Sequence, residues 1–331
     1  MPVGLILSPL EQYRSVHIVE FFKENSIGGK SIKKFFSVTL ILGMIVLLLL
    51  GPSDQKVLSS QEAPEEGATT MIQVGDIDIA YKVFGEGDPL LLIMGYSGTM
   101  DLWAPEVLKE LASKYQVIIF DNRGMGKTTA SDKEFAIELF ADDTHGLLDA
   151  LSIERAHVLG WSLGTYIAQE LTLRYPDRVE KLILYAGDCG GKEAIYPGPE
   201  IMDALGDTSA SSRERGERLL ATLFPEKWLK EHPDPRTYFP KVTETSSPAN
   251  IKRQYQAWQN WKGSYSRLAK ITQPTLLITG AEDVNTPWQN SLMLIDLIPG
   301  AWLVQLEGGG HGVMYQYPKK FSRIVLTFLA S

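Results

Sequence analysis

Residues Val158–Thr165 read Val-Leu-Gly-Trp-Ser-Leu-Gly-Thr, and this stretch constrains the chain more than any other. Ahead of it Arg155–Leu159 has the make-up of a short strand. Behind it Tyr166–Arg174 has helical spacing, with Ile167, Leu171 and Tyr175 four apart on one face. Between them, Gly160-x-Ser162-x-Gly164 is the pattern of a sharp strand-to-helix turn that lifts a serine hydroxyl above a sheet edge. Glycines suit both flanks because such a turn runs backbone against backbone and leaves no room for a Cβ. The N-terminus of the following helix adds partial positive charge and N–H groups that favour a developing oxyanion. The pentapeptide alone is a weak signal, so its surroundings must carry the reading.

Those surroundings alternate strand and helix. Met71–Val74 and Ile77–Phe84 read as strands around Gly75-Asp76. Leu90–Met94 is a continuous apolar run, as expected of a strand buried on both faces. A helix over Pro105–Lys114, a strand over Gln116–Phe120 and a helix over Phe135–Leu151 lead to the serine turn. Lys181–Ala186, Thr275–Thr279 and Ala301–Leu306 continue the sheet, with helices over Trp288–Ile298 and Lys319–Leu329. This alternation predicts an α/β fold: a doubly wound, mainly parallel, eight-stranded sheet with helices on both faces. The strand signals stop between Cys189 and about Ser266, where helical pieces (Glu214–Leu223, Asn250–Trp261) sit among proline-rich turns. An insert of that kind reads as a helical lid over the sheet's carboxyl edge, where open α/β folds bind ligands. The core is thus expected over 71–189 and 267–331, with the lid at 190–266.

The first seventy residues differ in character. Phe35–Leu50 is nearly all apolar and closes at Gly51-Pro52. Lys23, Lys30, Lys33 and Lys34 precede it, and Asp54, Glu62, Glu65 and Glu66 follow. The run lies between a signal-peptide core and a spanning helix in length. Its charge asymmetry puts 1–34 in the cytoplasm, or makes it a signal n-region, and everything after Gly51 outside. The expectation is an extracytoplasmic domain, held by a transmembrane helix over 35–51 or secreted after signal cleavage, with 52–70 as a flexible linker.

A serine hydroxyl needs a base, and the base needs an orienting carboxylate. His311 sits in Glu307-Gly308-Gly309-Gly310-His311-Gly312 directly after a strand, in a loop with no side chains to obstruct it. Asp283, in the turn after Thr275–Thr279, would aim a carboxylate at the same edge; Asp188, after Lys181–Ala186, is the rival acid. Oxyanion donors are expected from the N–H groups of Leu163 and Tyr96, the latter in the loop Gly95-Tyr96-Ser97-Gly98. Trp161 beside the serine, with Trp228, Tyr255, Trp258 and Trp261 from the insert, are candidates to line a substrate pocket; Trp258 and Trp261 are three apart and would share a helix face.

Composition excludes several alternatives. A net charge of −8 argues against nucleic-acid binding. One cysteine permits no intrachain disulfide, and the five histidines lack metal-ligand spacing, so no metal and no cofactor are expected. Gly124-Met125-Gly126-Lys127-Thr128 ends like a phosphate-binding loop, but Asp121 stands where the leading glycine is required.

Taken together, Gly160–Gly164, the turn Asp121–Gly126, Asp283 before Pro287, and His311 in its glycine loop resemble the α/β-hydrolase superfamily over roughly residues 71–331. The resemblance implies a Ser162–Asp283–His311 triad in the order nucleophile, acid, base, and a purely structural role for Asp121 and Arg123. Met94-Gly95 departs from the family's usual His-Gly and is similar to a methylesterase-like branch. Serine at 162 points away from the dehalogenases and epoxide hydrolases of the superfamily, which use aspartate there. The expected activity is hydrolysis of a small to medium apolar carboxylic ester or lactone through an acyl-enzyme. The alternatives are a slow-turnover ligand sensor of the same fold, or an aminopeptidase- or haloperoxidase-like enzyme.

Overall fold

The computed structural model describes residues 17–18, 67–207 and 211–331. Phe35–Leu50 lies outside them, as does nearly all of the linker expected over 52–70. Among the described residues no helix is long and apolar enough to cross a membrane.

A two-residue strand β1 (His17–Ile18) and eight longer strands form one nine-stranded sheet: β2 (Thr70–Val74), β3 (Ile77–Phe84), β4 (Pro89–Ile93), β5 (Gln116–Phe120), β6 (Ala156–Trp161), β7 (Val179–Tyr185), β8 (Thr275–Gly280) and β9 (Trp302–Leu306). Their order across the sheet is β1-β9-β8-β7-β6-β4-β5-β3-β2. Only β2/β3 and β3/β5 pair antiparallel; the rest are parallel. The eight-stranded, mainly parallel sheet read from the sequence is thus present, with β1 added beside β9.

The central strands read as unbroken apolar runs because both of their faces are covered. Leu91, Ile93, Ile118, Val158, Leu182 and Leu277 point to one side, where α2 (Ile137–Ala150), α3 (Leu163–Arg174) and α8 (Gln289–Leu297) pack. Leu90, Leu92, Val117, Leu159, Ile183 and Ile278 point to the other, under α1 (Pro105–Ala112) and α10 (Pro318–Leu329). Each such side chain stabilises the fold by about 1.5–3 kcal/mol relative to exposure.

Between β7 and β8 the chain leaves the sheet to form α4 (Pro199–Gly206), α5 (Ser212–Leu223), α6 (Glu226–Glu231) and α7 (Pro248–Asn260). Ser211 and Glu214 close a capping box on α5, and Ser247 with Pro248 starts α7. The two ends of this insert are joined: Ser264 N–H donates to the Cys189 carbonyl at 2.7 Å. Gly190 and Gly263 pass so closely there that a Cβ on Gly263 would lie 2.7 Å from the Cys189 oxygen.

The turn over Asp121–Thr128 is structural. Arg123 is buried and bridges Asp143 at 2.6 Å and Asp76 at 3.0 Å. Its hydrogen bonds hold the Asp76 carboxyl well below the usual range. Thr128 Oγ1 accepts from Ala80 N, and Lys127 reaches out to Glu244, so no phosphate cradle forms.

Candidate active site

Ser162 lies between β6 and α3 with φ 55° and ψ −124°, a left-handed conformation costing a non-glycine residue about 1–3 kcal/mol. Its N–H donates to the Tyr185 carbonyl at 2.9 Å, and its own carbonyl accepts from Thr165 N at 2.8 Å. The glycines are needed for the reason the sequence suggests. A Cβ on Gly160 would lie 2.3 Å from the Gly164 oxygen, and one on Gly164 would lie 2.2 Å from the Ile93 oxygen.

His311 follows β9 at the start of the turn into α9 (Val313–Gln316). Its carbonyl accepts from Tyr185 Oη at 2.6 Å, and Gly310 N–H donates to Gln316 Oε1 at 2.8 Å. Gly309 and Gly310 cross the end of β8 so tightly that a Cβ on Gly280 would meet their carbonyl oxygens at 2.3 Å. His311 Nδ1 lies 2.8 Å from Asp283 Oδ2, and both side chains are buried. The other Asp283 oxygen accepts from Asn285 N at 2.9 Å and Thr286 N at 2.8 Å, which fixes the carboxylate. Asp188, the rival acid, instead accepts from Tyr166 Oη at 2.8 Å and Gly190 N at 2.7 Å.

Ser162 and His311 open onto one cavity of about 90 Å³, whose wall also includes Tyr96, Trp161, Leu163 and Trp258. Leu163 is the first residue of α3 and directly follows the serine. The loop after β4 passes close by, since a Cβ on Gly95 would lie 3.1 Å from the Ser162 Cβ; Tyr96 is the next residue of that loop. That loop is tied down at three points. Asn122 Nδ2 donates to the Met94 carbonyl at 2.9 Å, Ser97 N–H donates to Gln254 Oε1 at 2.7 Å, and Tyr96 Oη donates to the Leu205 carbonyl at 3.0 Å. The departure at Met94 therefore leaves the loop supported, by a glutamine from α7 and an asparagine after β5.

Trp261 corrects the sequence reading. It lies beyond the end of α7 in extended conformation, so it does not continue the helix face of Trp258. Its indole donates to the buried Glu170 at 2.8 Å and its ring packs on Tyr166 at 4.7 Å, away from the cavity. Trp228 is likewise packed against Phe224 and His232. Tyr255 stands behind Tyr96 and Trp258. Cavity walls that the sequence did not suggest include Tyr166, Asp188, Asn285, and Leu205, Leu219 and Leu223 of the insert. Among the described residues no group of three or more His, Cys, Asp or Glu side chains is placed to hold a metal ion.

This arrangement of sheet, turn and facing loops has relatives. Residues 88–318 match the family model of the alpha/beta hydrolase fold. The chain belongs to the α/β-hydrolase family. Among similar proteins are those named carbamate hydrolase RutD from Azorhizobium caulinodans, 29% identical over 77% of this chain and 96% of its own length, and from Caulobacter sp., 29% identical over 78% and 98%. A hydrolase from Pseudomonas aeruginosa superposes with a TM-score of 0.70 at 26% identity, covering 81% of this α/β hydrolase and 100% of its own chain. An enol-lactonase from Burkholderia xenovorans shares the fold at TM-score 0.70 and 21% identity, covering 79% of this chain and 100% of its own.

Proposed function

We propose that this hydrolase cleaves a small to medium carboxylic ester, lactone or carbamate through Ser162, with His311 as base and Asp283 as its orienting acid. The observation that carries the reading is the 2.8 Å contact between His311 Nδ1 and Asp283, with His311 and Ser162 lining one cavity. With Nδ1–H donated to Asp283, the other ring nitrogen is the acceptor that takes the serine proton. Ser162 Oγ attacks the substrate carbonyl, and the N–H groups of Leu163 and Tyr96 receive the oxyanion. One such donor is worth about 2.7–4 kcal/mol of barrier. Collapse expels the alcohol, which takes its proton from the imidazolium. Water deprotonated by His311 then releases the acid and restores the serine.

The insert acts as a lid, since Leu205, Leu219, Leu223 and Trp258 close the cavity from that side. The lining is mainly apolar, which favours an acyl group without negative charge. The relatives' name adds carbamates: their carbonyl is attacked in the same way, giving a carbamoyl-enzyme. The charges flanking Phe35–Leu50 support placing this domain outside the cytoplasm. Cell fractionation checks that placement, and a cytoplasmic pool alone would refute it.

The test of the chemistry is a fluorophosphonate label combined with turnover of p-nitrophenyl butyrate and a p-nitrophenyl carbamate. The label should attach to Ser162, and Ser162→Ala should lose both labelling and turnover while unfolding at the wild-type temperature. Retained turnover in that variant would end the proposal.

A further inference from the structure

We infer that Asp188 is a substrate-recognition residue, selecting acyl groups that carry a hydrogen-bond donor. The inference rests on the hydrolytic reading of the same cavity. Asp188 follows β7, is 3% exposed and lines the cavity shared by Ser162 and His311. Its two oxygens receive one hydrogen bond each, from Tyr166 Oη and Gly190 N. A carboxylate offers about four lone-pair sites, so half of this one's capacity is unused. Among the described residues no lysine, arginine or histidine hydrogen-bonds or ion-pairs with it; its direct donors are neutral, and His311 acts on it only through space, opposed by Asp283.

A buried carboxylate in this state is under-compensated, because burial penalises its charge and two neutral hydrogen bonds do not repay it. Burial pushes its pKa up to about 6. Near neutral pH it therefore remains mostly ionised, a strong acceptor waiting inside an apolar wall. Asn285, on the same wall, repeats the pattern: its Oδ1 is buried without a partner, while its Nδ2 donates to the Thr222 carbonyl at 3.1 Å. Asp283 does not share this availability, since His311, Asn285 and Thr286 occupy it. The cavity thus holds two acceptors that the protein itself leaves short of donors. An acyl group with a hydroxyl, amide N–H or ammonium supplies what is missing; a plain alkyl chain leaves both acceptors dry.

Specificity of this kind is strong, because a site built to meet a substrate donor rejects the analogue that lacks one. The experiment compares kcat/KM for p-nitrophenyl esters of plain alkyl, α- or β-hydroxy and α- or β-amino acids of equal chain length. Plain-ester turnover that is lost in Ser162→Ala establishes the hydrolytic reading separately. The wild type should prefer at least one donor-bearing ester over its alkyl counterpart by tenfold or more, after correction for spontaneous hydrolysis. Hydroxy- and amino-acyl arms tell a neutral donor from a cation. Asp188→Asn, which is isosteric and uncharged, should cut that preference ratio at least about tenfold for the amino ester. A wild-type ratio near one overturns the inference without any variant, and an unchanged ratio in Asp188→Asn overturns it even where absolute rates fall.

Discussion

Gln254→Met separates support of the Gly95–Gly98 loop from ordinary stability. Gln254 is fully buried on α7, and its Oε1 accepts from Ser97 N–H at 2.7 Å, one residue beyond Tyr96. Its Nε2 has no partner. Methionine fills similar volume, removes the acceptor and also removes the unpartnered donor. Leaving the partly buried Ser97 N–H without a protein partner costs about 1–3 kcal/mol, and deleting an unpaired Nε2 returns a comparable amount. The net change in stability should be within about 1 kcal/mol, a shift in Tm of under about 4 °C for a domain of this size. Catalysis has no such compensation. With Ser97 released, Tyr96 N–H would drift from the oxyanion position proposed for it and forfeit part of the 10²–10³-fold in kcat that one such donor supplies. We expect kcat on p-nitrophenyl butyrate to fall about 10–100-fold with KM little changed, since the donor acts mainly in the transition state. Wild-type kcat in a folded Gln254→Met would refute the reasoning, as would a rate loss that merely tracks a large drop in Tm.

Three further perturbations test other parts of the structure. Gly160→Ala places a Cβ 2.3 Å from the Gly164 oxygen, which neither backbone can avoid, so a loss of over about 4 kcal/mol is expected in urea unfolding; a loss below 1 kcal/mol would contradict the packing of this turn. Trp261→Phe removes the indole bond to Glu170 but leaves Arg267 on that carboxylate. It should lower stability by about 1–2 kcal/mol and leave ester specificity unchanged; altered acyl preference would return Trp261 to the pocket. Burial raises Asp188 to about 6, above its ordinary 3.8, so protonation favours the folded state. Its contribution is full below about pH 4 and is lost as pH rises through 6, on the order of 1–3 kcal/mol. Asp188→Asn should flatten the unfolding free energy across that window, and parallel wild-type and variant curves would show that burial does not load this carboxylate.

Strong local signals made the sheet and the serine turn legible. Runs such as Leu90–Ile93 are apolar because both faces are covered, and Gly160 and Gly164 report a backbone crossing that no other residue permits. The contact between Asp283 and His311 was readable because each follows a strand on the same sheet edge. Trp261 was misread because helical spacing carries no mark of where a helix stops. The chain turns at Asn260, towards Gly263 at φ +81°, and the indole swings to Glu170. Gln254 looks in sequence like any polar residue on an amphipathic helix; only the approach of α7 to the loop after β4 gives it a task. Asp188 was weighed as an acid for His311, whereas its donors, Tyr166 and Gly190, fix it as part of the cavity wall.

The pinch between Cys189 and Ser264 has a consequence for how such a protein can diversify. More than seventy residues leave and rejoin the scaffold through one narrow neck, so their length and sequence can change without altering any strand pairing. Loop-closure entropy grows only slowly with length, about 0.6 kcal/mol per doubling, so large exchanges there are cheap. A chimera that swaps a relative's segment at this neck should keep every strand pairing, and should keep the scaffold's chemistry only where the donor segment brings an acceptor for Ser97 N–H in place of Gln254.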